Sequence, residues 1–308
     1  MSRLPTKEMS ASFAGLKGSK SKIEMTESYL VDGKTKAEYK MEMLVVYNSD
    51  DELGVRVRHG TDVCQNFLHR GNSSIVINSD DKNESGNWKL LGGLLFDNRI
   101  SGGRANLKSE LWPTDGNIDL YHLGTWLLKP LRSDSGFLDG FKERTLESGD
   151  FCIEGENEFG TGKIVVDPLC WLPKRIEWRQ KEKSLYRGRD ESLISDIKFN
   201  GKDASGIWPS SGYVSAIEHA VDFDFEERDG IGYIRSWKHT KNMICSNGRV
   251  VVSVVAGEVT EIEFDANEDI LASFDLLPLP REGFPLTVEN ARQLRYVWDG
   301  SWAVGPRF

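Results

Sequence analysis

No stretch of this chain approaches the roughly 20 consecutive apolar residues that a helix needs to cross a bilayer. Positive charge is not in excess either. The 39 basic residues face 48 acidic ones for a net charge of −9, and the basic residues are scattered, with only a short run at Lys17 to Lys22. Nonspecific nucleic-acid binding needs a positive surface that displaces counterions, so nucleic acid is not an expected partner. Cysteine is sparse: Cys64, Cys152, Cys170 and Cys245 stand far apart with no C-x-x-C pair. Metal-site spacing is therefore absent. Buried free thiols on strands are the expectation, with a single bridge in an exported protein as the alternative.

Enzyme signatures are missing as well. There is no G-x-S-x-G elbow, no H-E-x-x-H, no phosphate-loop lysine pattern and no G-x-G-x-x-G. Gly155 to Lys163 resembles a phosphate loop only faintly, because the lysine is displaced, and it reads as a tight connection between strands. The histidines His59, His69, His122, His219 and His239 are dispersed. Asp265, Asn267 and Asp269 echo a calcium loop, but Ile270 stands where the sharp turn needs glycine and Leu276 where the bidentate glutamate belongs. These absences predict a protein that is not an enzyme, with no catalytic residue, no metal and no cofactor.

What the chain has in abundance is alternation. From Thr35 to Tyr47, Ala37, Tyr39, Met41, Met43, Val45 and Tyr47 share one parity, while Lys36, Glu38, Lys40 and Glu42 share the other. A pleated strand throws successive side chains to opposite faces, so this is one apolar and one wet face. Similar strands are predicted from Ile23 to Val31, Glu52 to His59, Val63 to His69, Ser74 to Asn78, Trp88 to Phe96, Thr145 to Glu154, Gly162 to Asp167 and Leu172 to Gln180. Others follow at Leu193 to Phe199, Tyr213 to Phe225, Ile231 to Lys238 and Arg249 to Phe264. Asp32-Gly33 is a hairpin turn, since both residues tolerate positive φ. The chain is read as one principal domain, 1–265, with a C-terminal extension, 266–308, packed on it.

Three segments read as helical: residues 6 to 16, residues 137 to 142, and an insert whose Ile118, Leu120, Tyr121, Leu123, Trp126, Leu127 and Leu128 recur at helical spacing. A long antiparallel meander with one helical insert either curls around the insert or closes into a barrel. The insert plugs the sheet as ordinary core, the simpler reading, or it covers a cavity for an apolar ligand.

The middle of the chain carries a recurrent pattern. Lys163 to Pro168 is a strand running into D-P, followed by Trp171-Leu-Pro173 and Arg175-Ile176-Glu177, then Ile194 to Phe199, then Gly206-Ile-Trp208-Pro209 with Gly212-Tyr213. This order resembles LolA-like (lipoprotein localisation factor-like) proteins, in particular the large set of exported ones in planctomycete-type bacteria. The tail from Phe274 to Trp302, with Pro280-Arg-Glu-Gly283, is similar to their closing segment. The resemblance implies a mainly β fold: a large curved antiparallel sheet, an unclosed half-barrel, with a few helices packed in its concave side. It also implies a periplasmic or exported location. The polar stretch Met1 to Ser10 lacks a secretory signal's apolar run, which fits a removed signal peptide or, alternatively, a cytoplasmic protein.

The leading functional expectation is non-catalytic binding of a hydrophobic ligand or a lipidated partner. Tyr39, Met41, Met43, Ile176 and Trp178 would line the cavity, with Leu123, Trp126 and Leu127 covering it. A second reading is a polysaccharide-binding or polysaccharide-hydrolysing protein. It would use exposed tryptophans such as Trp298 and Trp302 and the carboxylates of Asp222, Asp224 and Glu226, which alternate along one strand. A third is a structural or interaction domain with a filled core.

Overall fold

The protein is represented by a computed structural model, which describes residues 16–49, 52–59, 63–70, 73–82, 88–97, 140–156, 160–180, 198–199, 202–203, 214–245, 248–266, 282–288, 295–301 and 303–305. Among these residues the chain forms strands and no helix. The first six are β1 (Ser19–Val31), β2 (Lys34–Ser49), β3 (Glu52–His59), β4 (Val63–Arg70), β5 (Ser73–Lys82) and β6 (Trp88–Asp97). After them come β7 (Lys142–Thr145), β8 (Phe151–Glu156), β9 (Gly160–Val166), β10 (Pro173–Gln180), β11 (Lys198–Phe199) and β12 (Lys202–Asp203). The last six are β13 (Val214–Arg228), β14 (Ile231–Cys245), β15 (Val250–Glu263), β16 (Pro285–Val288), β17 (Arg295–Trp298) and β18 (Ala303–Val304).

Sixteen of these strands make one sheet, ordered β18-β17-β16-β6-β5-β4-β3-β2-β1-β15-β14-β13-β10-β9-β8-β7, while β11 and β12 pair only with each other. The order has two ends, so the sheet is not closed, and the barrel alternative is excluded. It is antiparallel with one exception: β16 runs parallel to β6. The turn between β1 and β2 is the expected one, with Asp32 at φ 51° and Gly33 at φ 76°, and Asp229-Gly230 repeats this chemistry between β13 and β14 at 56° and 77°. Paired residues in that left-handed region match the twist of the flanking strands.

Several expectations need correction. The predicted strand from Thr145 to Glu154 is a hairpin of β7 and β8. Its turn is closed by Leu146 N donating to Asp150 O at 2.8 Å and Gly149 N donating to Leu146 O at 2.9 Å. Glu147-Ser148-Gly149-Asp150 is turn chemistry, and Gly149 at φ 89° supplies the left-handed step. The helix predicted over 137–142 is not formed in its described part, because Gly140 turns at φ 85° and Lys142 opens β7. The helix predicted over 6–16 lies outside the described residues but for Leu16, which is in a turn, and the helical insert lies outside them altogether.

The chain gathers into two compact units. Among the described residues the first holds 25–40 and 140–258, and the second holds 16–24, 41–97 and 259–305. In the second unit Met43 pairs with Val57 and Val45 with Val55. Val46 pairs with Gly54, which pairs with Leu68, which pairs with Ile75. Successive residues face opposite sides, and all of these are buried. The alternation expected along β2 therefore gives way after Met43, where the strand is covered on both faces. Trp298 in the same unit is fully buried at 0% exposure, which removes it from the exposed tryptophan pair; Trp302 lies outside the described residues.

In the first unit one face of β10, β13, β14, β15 and β1 is buried and the other ranges from half-buried to exposed. The buried set on β13 is Ile217, His219, Val221 and Phe223, and on β14 it includes Trp237, His239, Met243 and Cys245. Two tryptophans lie flat on strand glycines. A Cβ on Gly162 would come within 2.4 Å of Trp178 Cε3, and one on Gly257 within 2.3 Å of Trp237 Cζ2. Only glycine leaves room for these rings. Phe141 stacks on Trp178 with ring centroids 6.3 Å apart.

Candidate functional site

Side chains that sit directly opposite each other in a sheet project from the same face. In the first unit this places Trp178 beside His219, His219 beside Lys241, and Lys241 beside Ser253. The Ser253 hydroxyl hydrogen-bonds to the Tyr29 oxygen on β1, and Tyr29 Oη donates to Glu27 Oε1 at 2.5 Å. One row of polar groups thus crosses five strands on the buried face, spanning about 19 Å at the usual strand spacing. One step along, His239 stands between Val221 and Val255, with its Nε2 3.0 Å from Nδ1 of His219.

The layers on either side of this row are apolar. Ile217, Met243 and Val251 are cross-strand neighbours on one side, and Phe223, Trp237 and Gly257 on the other. All six are buried. Among the described residues of this unit the buried polar ones are Glu27, His219, His239 and Ser253, at 8%, 2%, 5% and 7% exposure. Lys241 is half-buried.

Burial sets the protonation chemistry of the row. Desolvation holds both imidazoles below their ordinary value, and the charge of Lys241 adds to it. His239 is pushed down to about 3, and His219, which also feels His239, is well below 6.5. Both rings are neutral at neutral pH, so one N–H donates to the partner's bare ring nitrogen. Desolvation raises the Glu27 carboxyl, while the Tyr29 hydrogen bond and the Lys241 charge oppose that rise. Tyr29 is driven upward by burial and then by Glu27, so the phenol keeps its proton. The row can exchange hydrogen bonds and balance charge. Nothing in it presents a nucleophile activated by a base.

Tyr39 and Trp178, both expected at the site, bracket the row. The Tyr39 ring meets Tyr29 edge-on with centroids 6.5 Å apart and planes at 75°, and Ile176 is buried beside Val221. Met41 and Met43 are buried, but in the second unit. Leu123, Trp126 and Leu127 lie outside the described residues. His219 and His239 were noted in the sequence only as dispersed histidines, and Glu27, Tyr29, Lys241 and Ser253 went unsingled. Their signal is a polar residue at an apolar parity on four strands, and only the register lines the four up.

The acidic alternation on β13 lies elsewhere. Asp222 and Asp224 are exposed on the opposite face, and a bulge between Asp224 and Phe225 interrupts the alternation before Glu226. Arg175 Nη1 donates to Asp222 Oδ1 at 2.5 Å, and Arg235 Nη1 to Glu226 Oε2 at 2.9 Å. These carboxylates are ion-paired across the strands. Cys152 and Cys245 are buried thiols on strands outside any disulfide, as expected, and Cys170 is exposed in a turn and also outside any disulfide. Among the described residues no group of three or more His, Cys, Asp or Glu side chains could hold a metal ion, and no helix is long and apolar enough to cross a membrane.

No family model matches the chain, and no curated protein matches it. Solved structures do. A DUF1329 family protein from Desulfovibrio piger is 10% identical with a TM-score of 0.40, the match covering 86% of this chain and 92% of the other. An outer membrane lipoprotein-sorting protein domain from Vibrio parahaemolyticus is 8% identical with a TM-score of 0.42, covering 88% and 94%. A LolA superfamily protein from Nitrosomonas europaea is 9% identical with a TM-score of 0.34, covering 84% and 93%. At these identities no residue role is carried across to this chain.

Proposed function

We propose that the protein binds a hydrophobic ligand, or the lipid moiety of a lipidated partner, against the buried face of its first unit and without catalysis. The observation that supports this most is the make-up of that face: apolar layers of Ile217, Met243 and Val251 and of Phe223, Trp237 and Gly257, bracketed by the rings of Tyr39 and Trp178. A face of this kind gives an acyl chain contact along its length, and its few polar groups are grouped rather than dispersed. In this reading Tyr39, Ile176 and Trp178 line the site. The sequence resemblance to LolA-like proteins points the same way, and an exported or periplasmic location belongs to the same reading.

The test is displacement of a fluorescent fatty-acid analogue from the delipidated full chain. Saturable binding that competes with unlabelled acyl compounds is expected. Ile176→Arg, which places a charge among the apolar side chains, is expected to weaken it on the order of tenfold or more. Absence of saturable binding by the wild-type chain overturns the proposal and leaves a filled core.

A further inference from the structure

We propose that Glu143 guards the free edge of the sheet at β7 and keeps it from pairing with a second copy of this chain. β7 stands last in the strand order, so among the described residues no strand covers its outer side. Such an edge offers backbone N–H and C=O groups to any extended segment. The same edge on another copy is the segment always at hand.

The register puts Glu143 where an apolar residue is expected. Glu143 pairs with Ile153, Ile153 with Ile164, Ile164 with Ile176, and Ile176 with Val221. These three isoleucines and the valine are at most 2% exposed, so the row belongs to the buried face. A carboxylate closes it at the edge. Among the described residues Glu143 Oε1 is buried and accepts no hydrogen bond, which costs stability and serves no contact within the fold. The neighbouring charge is settled differently. Arg144, on the opposite face, donates to the two carboxylate oxygens of Glu154 at 2.9 and 3.2 Å.

Symmetry makes the charge effective. Two copies that meet edge to edge and antiparallel are related by a twofold axis normal to the sheet, so opposed side chains share a face. With the axis at Lys142, Glu143 or Arg144, that residue meets its own copy and like charges stand opposed. The Glu143 register is the worst of the three, because it brings two carboxylates together at the end of an apolar row, where screening is weakest. The edge is also short. Gly140 turns the chain at φ 85° before β7, and the Leu146–Asp150 turn follows it. An incoming strand therefore finds only the 4 residues of β7 to pair with, and gains few bonds to offset the repulsion.

The experiment follows hydrogen exchange of the β7 amides in the full chain at neutral pH as protein concentration is raised, with sedimentation velocity alongside. Exchange in the wild type is expected to be independent of concentration. Glu143→Val completes the apolar row. It is expected to gain concentration-dependent protection on the order of tenfold at these amides, with a matching rise in sedimenting mass. Glu143→Lys restores a charge of the other sign and is expected to behave as the wild type. Glu143→Gln keeps the shape, loses the charge and is expected to gain part of the protection, so it carries the test if the valine variant does not fold. Concentration-independent exchange in every folded variant that lacks the charge overturns the proposal. Concentration-dependent protection of β7 in the wild type, or equal protection in the lysine and valine variants, overturns it as well.

Discussion

His219 and His239 resist protonation because a charged imidazole would be stranded among Ile217, Val221 and Val255 beside the Lys241 ammonium. In the unfolded chain both take a proton near pH 6.5, whereas folded His239 does so only at about 3. A base whose folded pKa is depressed lends stability that is present above the unfolded value and is lost as pH falls toward the folded one. Glu27 acts in the opposite sense. Its carboxyl is raised above 4.5, so between that raised value and 4.5 the folded state binds the extra proton and recovers part of the loss. Urea midpoints are therefore expected to fall on acidification below about pH 6.5, with a slope of up to about 1.4 kcal/mol per pH unit for each histidine. His239→Leu is expected to flatten that arm, and an unchanged slope in the variant would remove the pair as its cause. None of this was legible at the level of single residues. His219 stands in a strand as one polar residue among apolar ones, and its partner is 20 residues away across a register that alternation does not specify.

At the scale of the strand, turn chemistry was legible and pairing was not. Asp32-Gly33 announced its hairpin, and the parity of Tyr39, Met41 and Met43 announced a buried side. The turn that splits β7 from β8 was hidden, because Thr145 to Glu154 keeps enough alternation to pass for a single strand. Gly160 was read within a connecting turn and Gly162 as the start of a strand, whereas β9 already begins at Gly160 and Trp178 lies against both glycines. That role depends on β10 lying alongside β9, a fact of register. Gly162→Ala drives a Cβ to 2.4 Å from Trp178 Cε3 on a ring already stacked by Phe141. Overpacking of this kind is expected to destabilise the fold by about 1–3 kcal/mol and to move the tryptophan emission. A variant as stable as the wild type would show that the ring can slide aside.

For the whole molecule, class came through and closure did not. Repeated alternation predicted an antiparallel meander and left open whether it curls or closes; the unclosed sheet was implied by the family resemblance, and the strand order has two ends. The parallel junction of β16 with β6 and the partnering of β1 with β15 join segments far apart in the chain, beyond the reach of local pattern. The β1–β15 seam is tied at several points. Lys22 Nζ meets Glu261 Oε2 at 2.6 Å, Thr260 Oγ1 donates to the Lys22 carbonyl at 3.3 Å, and Ala266 N donates to Gly18 O at 2.7 Å. A chain ending at residue 249 lacks β15 and leaves both β1 and β14 as open edges. It is expected to lose the cooperative urea transition of the full chain and to associate with itself. A truncated chain that stays monomeric and unfolds cooperatively would show that the seam is dispensable.

The same seam has a consequence for the ribosome. β1 is synthesised before β15, which emerges only after more than two hundred further residues. Throughout that interval the nascent chain carries a long strand whose final neighbour does not yet exist, and its apolar residues Ile23, Met25 and Val31 have no settled cover. Translation rate and chaperone occupancy, rather than local propensity, then decide whether β1 waits for β15 or pairs with a strand from another chain.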